Sequence, residues 1–586
     1  MKKILFILVT LALISWAPPK SNDFKTIFET SDGKQSASYH EGIAWWKNFS
    51  NAFGEVHKQE YGMTDAGFPL HTIVLSKNGQ QLSEIKESSK TIILINNAIH
   101  PGEPDGVDAS MLLFRDILLT QKQLLDSCIL VCIPYYNIGG ALNRNGYSRA
   151  NQNGPEEYGF RGNAQNLDLN RDFVKCDSRN AESFAKLLQL IDPDIYIETH
   201  VSNGADYQYN ITYLSTQPDK LGGTMGDHLR FKMIPSLNAK MRTKGNEMVP
   251  YVNHWGGPLK DTYATFYDSP RYSSGLTTLH NIFGFITETH MLKPFDIRVK
   301  ATYDYLLSSI EYAHEQSTEI QRTRNSQKQA VAAADSFPID WEVEPYDIIP
   351  LNFKGYEYGY KKSEVTGGER LYYDRNKPIT KTIFYKHVML ATKHSGKPTA
   401  YILRRGFTEV EDRLRWNGVK MQELTQDSTI QVISSRILSY ETKKEPYEKH
   451  YLHYNTNTVA DTIYWTFRKG DYLIPLGTDK DRFILEMLEP EGPDSYFNWN
   501  FFDAILQQKE HYSAYVFEDR AAELLEKDAG LKADFELMKQ SKDSITPQEQ
   551  LSWIYKNSPH YEKEYNRLPV FKVYQYPTER STTTYR

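Results

Sequence analysis

A histidine and a glutamate stand three positions apart, directly after an apolar run, in the stretch Thr91-Ile-Ile-Leu-Ile-Asn-Asn-Ala-Ile-His100-Pro-Gly-Glu103-Pro-Asp-Gly. Such a pair offers one imidazole nitrogen and one carboxylate oxygen, a donor set that suits zinc and leaves room for a third protein ligand and a water molecule. Alone, a pair of this kind is more often two polar side chains on a surface loop. The metal hypothesis therefore depends on which other residues the fold brings next to it.

The elements around the pair indicate a parallel α/β sheet. Thr91 to Ile95 predicts a strand buried on both faces, and the Pro, Gly and Asp residues after it predict a turn. Val107 to Leu119 has the pattern of an amphipathic helix, and Ile129 to Pro134 that of a second buried strand. A strand, a helix and a strand in this order are typical of a parallel sheet, and ligands bind at the carboxyl edge of such sheets.

Two later predicted strands also end in polar residues. Pro193 to His200 ends in a histidine, and Ile282 to His290 carries Glu288 near its end. A lone histidine at such a place is more often a hydrogen-bonded core residue. Because the carboxyl ends of parallel strands meet at one edge, we expect these side chains to lie close to the His-x-x-Glu pair.

A long loop without apolar periodicity is predicted from Tyr135 to Asp172. It closes with the sequence Arg161-Gly-Asn-Ala-Gln-Asn-Leu-Asp168-Leu-Asn170-Arg171-Asp-Phe, which is dense in donors for anions. Loops of this length inside a compact domain are usually functional or disordered. The alternative is an exposed polar loop.

Taken together, these residues resemble the zinc metallocarboxypeptidase family, the carboxypeptidase A and carboxypeptidase D/E type enzymes, over about residues 40 to 310. The resemblance implies a mixed, largely parallel sheet flanked by helices and a site for one zinc ion. It implies that His100, Glu103 and His200 are the zinc ligands. It also implies that Asp168 holds the first zinc histidine, as carboxylates next to ligating imidazoles do.

The same resemblance assigns the remaining site residues. Asn170 and Arg171 match the pair that binds the terminal carboxylate of the substrate, and Arg161 matches the arginine that stabilises the oxyanion. Glu288 matches the general base. Tyr272, in Tyr272-Ser-Ser-Gly275, resembles the local sequence of a tyrosine that contacts the substrate.

Two features depart from the family pattern. His290 follows Glu288 on the same strand face, where the family usually has no histidine, so either a role in the site or a structural role is open. The family's tyrosine lies further before the base than Tyr272, so Tyr263 and Tyr267 are also candidates.

Composition limits the class of protein. The chain has 586 residues, of which 40% are hydrophobic and 24% charged, which predicts a globular protein of two or three domains. A net charge of -6 provides no basic field for nucleic acid. We expect the three cysteines to be core residues, because Cys128 and Cys132 lie too far apart on one strand to bridge each other readily.

Residues 1–17 have the pattern of a secretory signal peptide, with Lys2-Lys3, an apolar run from Ile4 to Ile14 and a small-x-small site at Ser15-Trp16-Ala17. No later apolar run reaches the roughly 18 residues of a membrane span, so we expect an exported protein, periplasmic or extracellular, without a span in the mature chain.

The chain is predicted to divide after the signal peptide into a catalytic domain at 18–335 and a C-terminal region at 336–586. From 341 to about 485, short runs such as Thr429-Ile-Gln-Val-Ile and Thr462-Ile-Tyr-Trp-Thr-Phe indicate a β-rich module. The last hundred residues return to a helical pattern, as at Ala521 to Gln540.

The leading functional hypothesis is an exported zinc carboxypeptidase that acts on peptides with a free C-terminal carboxylate. One alternative keeps the metal chemistry and changes the substrate, as in an amidase or peptidase for cell-wall peptides or a deacylase with the same zinc set. An alternative of another class is a non-catalytic binding protein on a peptidase scaffold. Retention of the three ligands and of Glu288 argues against that last alternative.

Overall fold

The computed structural model of the protein describes residues 21–255 and 257–574. The predicted signal peptide at 1–17 lies outside these residues. Within the described ranges, no helix combines the length and the apolar character needed to cross a bilayer.

The strands of the described chain are numbered in sequence order. They are β1 Val56–Met63, β2 Pro69–Leu75, β3 Thr91–Asn96, β4 Cys128–Ile133, β5 Ile195–Ser202, β6 Ile211–Ser215, β7 Met248–Pro250, β8 Thr262–Ala264, β9 Phe283–His290, β10 Ser336–Val343, β11 Ile348–Lys362, β12 Glu369–Lys386, β13 Met389–Gly396, β14 Ala400–Leu403, β15 Gln422–Glu423, β16 Ser428–Thr442, β17 His453–Phe467, β18 Tyr472–Pro475 and β19 Arg567–Val573.

The α-helices are numbered in the same way. They are α1 Ile27–Thr30, α2 Tyr39–Ala52, α3 Asp105–Thr120, α4 Ile138–Leu142, α5 Arg179–Ile191, α6 Pro218–Leu221, α7 Gly223–His228, α8 Ile234–Thr243, α9 Ser273–Leu279, α10 Phe295–Ala333, α11 Thr408–Trp416, α12 Asp481–Leu488, α13 Ala514–Lys527, α14 Ala529–Gln540 and α15 Pro547–Lys556.

An eight-stranded sheet forms the centre of the first half of the chain, with the strand order β1-β2-β4-β3-β5-β9-β6-β7. Strands β4, β3, β5 and β9 run parallel, whereas β1 and β2 pair antiparallel with their neighbours. Strand β6 is antiparallel to β9 and parallel to β7. The prediction of a mixed, largely parallel sheet is therefore confirmed. The four predicted strands correspond to β3, β4, β5 and β9.

Both faces of this sheet are covered, which explains why its central strands read as continuous apolar runs. Ile93 and Ile95 of β3 belong to the core cluster that includes residues of α3 and α10. Ile92 and Leu94 point to the opposite face, where they share a cluster with residues of α5 and α12. Successive side chains of a strand alternate between the two faces, so one short run serves both cores.

The C-terminal region contains the predicted β-rich module, from β10 to β18, and then the helices α13 to α15. A further strand, β19, was not predicted and lies between β14 and β16 in a six-stranded sheet. The boundary predicted at 335/336 falls between α10 and β10 and remains a prediction. Residues from both sides of it share one core cluster, in which Phe184 and Tyr196 lie with Tyr401, Phe483 and Tyr496.

All three cysteines are buried and free, as expected for core residues.

Candidate metal centre and active site

Neighbouring strands of the central sheet supply the predicted ligands and the predicted base. β3 leads into the turn that carries His100 and Glu103, where the Glu103 N–H donates to the His100 carbonyl over 2.8 Å. In the parallel pair of β5 and β9, His200 lies opposite Glu288. These four residues line one cavity at the carboxyl edge of the sheet.

The three predicted ligands converge at donor-atom spacing. His100 Nδ1 lies 3.3 Å from Glu103 Oε1, and His200 Nδ1 lies 3.1 Å from Glu103 Oε2. One possible ligand atom of each residue lies within 4.8 Å of the others, and all three residues are buried. Donors bound tetrahedrally to zinc at about 2.0–2.2 Å are themselves about 3.3–3.6 Å apart, so the spacing suits this ion.

The Nε2 atom of each imidazole, on the side away from Glu103, is held by a carboxylate of its own. Asp168 Oδ1 lies 2.9 Å from His100 Nε2, and Glu198 Oε1 lies 2.7 Å from His200 Nε2. Because a carboxylate only accepts, both Nε2 atoms carry a hydrogen, and the nitrogen of each ring that can ligate a metal ion is Nδ1, on the side of Glu103. Carboxylates in this position fix the orientation of metal-binding imidazoles.

The surroundings of the two Nδ1 atoms show whether a cation fits between them and Glu103. His100 Nδ1 is buried without a hydrogen-bond partner. His200 Nδ1 faces a carboxylate oxygen, so two acceptors oppose each other unless a proton or a metal ion lies between them. Burial alone would lower the pKa of His200, but its bonds to Glu103 and Glu198 outweigh burial and raise that pKa to about 10. The site therefore favours a positive charge, and a divalent cation fits the donor set.

Glu103 is also held by an arginine that sequence reasoning missed. Arg149 Nη1 donates to Glu103 Oε1 over 2.9 Å. Burial would raise the pKa of Glu103, but Arg149, His100 and His200 together hold it well below the usual range. Arg149 lies in the long loop, whose several arginines carry no spacing signal that would have singled it out.

Glu288 lines the cavity opposite His200 and has an unusual proton affinity. Burial, reinforced by the charge of Glu103 and opposed by that of His200, raises the pKa of Glu288 to about 8. Glu288 is half-buried, and a carboxyl with a raised pKa can take up and release a proton near neutral pH, which is the requirement for a general base.

The end of the long loop brings the predicted anion-binding residues to the same cavity. Arg161 Nε donates to Asp168 Oδ2 over 3.0 Å, and Arg171 Nη1 donates to the Asn170 carbonyl over 2.7 Å. The Arg171 guanidinium lies 4.7 Å from the centroid of the Tyr272 ring. Burial alone would raise the pKa of Asp168, but His100, Arg161 and Arg171 hold it well below its usual range.

The cavity has a volume of about 560 Å³ and contains every predicted site residue except Asp168, which lies behind His100. Polar and charged side chains line the part near the metal donors. Apolar side chains line it as well, among them Leu214, Phe266 and Ile286.

The sequence left several aromatic and histidine roles open, and the structure distinguishes them. Tyr272 lines the cavity, whereas the Tyr263 and Tyr267 hydroxyls donate elsewhere, to the Pro250 carbonyl and to Asp340. His290 is buried between backbone groups, with Nε2 bonded to the Ala205 carbonyl over 3.0 Å and Nδ1 accepting from the Leu292 N–H over 3.2 Å. These contacts favour the structural alternative for His290.

Two further residues of the site were not predicted. Tyr251 lines the cavity, and the charges of Glu288 and Glu103 add to burial in raising its pKa. Glu198 supports His200 and accepts hydrogen bonds from the hydroxyls of Tyr196 and Ser273. Glu198 could have been found, because it lies two residues before His200 and therefore on the same face of β5. The sequence around Tyr251 has no apolar periodicity or motif that would have predicted its place in the site.

Comparisons with known proteins give only remote similarities. No protein-family model and no curated protein matches the chain. The structural neighbours are metallocarboxypeptidases. One is a metallocarboxypeptidase from Burkholderia cenocepacia, at a TM-score of 0.36 and 15% identity, covering 48% of this chain and 70% of that chain.

Two further neighbours are similar to the same extent. A metallocarboxypeptidase from Pseudomonas aeruginosa, in complex with (2-guanidinoethylmercapto)succinic acid, has a TM-score of 0.36 and 12% identity over 48% of this chain and 70% of that chain. Carboxypeptidase A from Helicoverpa armigera has a TM-score of 0.35 and 13% identity over 48% of this chain and 74% of that chain.

Proposed function

We propose that the protein is an exported zinc-dependent carboxypeptidase that hydrolyses the C-terminal peptide bond of peptides. One observation carries this proposal. Two imidazoles, each fixed by its own carboxylate, direct their free nitrogens at Glu103 in a cavity that also holds Glu288 and Arg171. Export is proposed from the signal-peptide pattern at residues 1–17.

His100, Glu103 and His200 would hold the metal. A zinc ion bound there lowers the pKa of a coordinated water toward about 7 and polarises a carbonyl group. Glu288, which lines the same cavity, would take a proton from the attacking water and return it to the leaving amine. Its raised pKa supports both halves of this transfer.

Two arginines would serve the substrate. Arg161 lines the cavity within 3.8 Å of Glu103, so its guanidinium can oppose the negative charge that develops on the scissile carbonyl oxygen. Asn170 and Arg171 would bind the terminal carboxylate, since a guanidinium fork suits bidentate capture of that group. Both side chains line the cavity, where the Asn170 amide nitrogen and the Arg171 guanidinium, which lies against Tyr272, are donors for a carboxylate.

The proposed carboxylate contact can be tested with two peptides that differ only at the C-terminus. We expect the peptide with a free carboxylate to be cleaved far better than its amidated form, and Arg171→Ala to remove most of this preference. Deleting one partner of a desolvated charge pair costs about 2 to 5 kcal/mol, which sets the expected size of the loss. The measurement is kcat/KM for each peptide.

Arg322→Ala provides the matched control, because Arg322 is an exposed arginine of α10 that pairs with Glu319. It should leave the ratio unchanged. If Arg171→Ala loses stability while cleaving both peptides in the original ratio, Arg171 only braces the loop. Equal cleavage of both peptides by the parent protein would exclude exopeptidase action and favour the amidase or deacylase alternative.

A further inference from the structure

A loop of the C-terminal region reaches the metal centre. It connects β16 and β17 and comprises residues 443–452. Glu448, in the middle of this loop, accepts a hydrogen bond from the Asp168 backbone N–H, with the nitrogen 2.9 Å from Oε2. The two residues are 280 positions apart in the sequence.

Asp168 links this contact directly to the proposed metal ligands. Its Oδ1 atom bonds His100 Nε2 at 2.9 Å and also accepts the Asn170 N–H at 2.9 Å. Its Oδ2 atom accepts from Arg161. Both carboxylate oxygens are therefore occupied by residues of the site, and the backbone N–H of the same residue is held by Glu448.

The loop is fixed on both sides of Glu448, so its carboxylate is presented in a defined place. Tyr447 stacks on Trp499 with ring centroids 6.1 Å apart, and the Arg271 guanidinium lies over the faces of both rings. On the other side, His450 Nε2 lies 2.7 Å from Asp177 Oδ2.

The backbone of the loop is also in an uncommon conformation. Glu448 and Lys449 have φ angles of 47° and 76°, in the left-handed region that residues other than glycine rarely adopt. Such conformations persist only where the surrounding contacts hold them, and they concentrate at functional sites. Here the contacts that hold them are the ones that direct Glu448 at Asp168.

We propose that Glu448 is a positioning residue of the metal centre, supplied by the C-terminal region. By holding the Asp168 backbone, it keeps the Asp168 carboxylate in place to orient the His100 imidazole. This gives the region after residue 335 a role in the active site. The inference rests on the proposed function, because the ion that His100 would bind is the zinc of that proposal.

The test is the affinity of the purified full-length chain for Zn²⁺, measured by competition with a chelating dye. Loss of outer-shell partners costs about 10- to 100-fold in metal affinity, and Glu448 acts one bond further out, so we expect Glu448→Ala to weaken zinc binding up to about tenfold. Glu448→Gln keeps an oxygen that can accept the Asp168 N–H and should bind zinc nearly as well as the parent. Glu448→Met, which keeps the bulk but removes the acceptor, should behave like Glu448→Ala and replaces it if the alanine variant does not fold.

Glu445→Gln is the control within the same loop, because Glu445 is exposed and is not one of the residues that hold Glu448 in place. It should bind zinc as tightly as the parent does. Parent-like zinc affinity in Glu448→Ala, or equal weakening in Glu448→Ala, Glu448→Gln and Glu445→Gln, would overturn the positioning role. Those outcomes leave the proposed function standing, whereas a parent protein that binds no zinc would overturn both.

Discussion

Replacement of Glu288 by glutamine is expected to lower turnover by roughly two to four orders of magnitude while the protein keeps its zinc, the range expected for loss of a general base. Glutamine has nearly the same shape as glutamate but cannot accept a proton from water. The three proposed zinc ligands, His100, Glu103 and His200, are unchanged. The measurements are kcat with a peptide substrate and the zinc content of the purified variant.

Glu182→Gln is a suitable control, because Glu182 lies on α5 and pairs with Lys186 outside the cavity. Its turnover should match that of the parent. Loss of zinc from Glu288→Gln would mean that Glu288 is a ligand and not the base. Near-normal turnover would assign proton transfer to another group of the cavity, and His290 is a poor candidate because both of its nitrogens are engaged by backbone groups.

The second large effect is expected on the affinity of the protein for zinc. We expect His200→Ala to lower zinc affinity by more than about 100-fold, because it removes one of the three proposed ligands. Loss of a residue that only supports a ligand costs about 10- to 100-fold. The substitution also leaves the Glu198 carboxylate without its imidazole partner. Zinc content after gel filtration and zinc affinity by dye competition both report this loss.

His290→Ala is the matched control for His200→Ala. Both residues are buried histidines near the ends of neighbouring strands, but His290 bonds the Ala205 carbonyl and not the metal donors. His290→Ala should lose stability and keep its zinc. Equal zinc loss in the two variants would show a general effect of unfolding, and equal zinc content in His200→Ala and the parent would remove His200 from the site.

Much of the central sheet could be predicted from the sequence, because its strands are buried on both faces and are therefore continuous apolar runs. His100, Glu103, His200 and Glu288 lie at or just after the carboxyl ends of these strands, and all four line one cavity. Element boundaries were less accurate. α3 begins at Asp105, directly after Pro104, and not at the predicted Val107.

Contacts between distant segments could not be predicted. Arg149 reaches Glu103 from a loop without periodicity, and Glu448 reaches Asp168 from another region of the chain. β19 lies between β14 and β16, although only helices and loops occupy residues 476–566, which separate it from the preceding strand. The local sequence does not predict any of these contacts, because each depends on the packing of segments that are far apart in the chain.

The most direct test of the central claim is a time course of peptide cleavage by the purified parent protein, followed by mass spectrometry with added zinc and with a chelator. One peptide with a free C-terminus and its amidated form serve as substrates. We predict stepwise loss of single residues from the free C-terminus, little cleavage of the amidated form, and loss of all cleavage in the chelator until zinc is restored. Release of internal fragments, or cleavage that continues unchanged in the chelator, would contradict the assignment as a zinc carboxypeptidase.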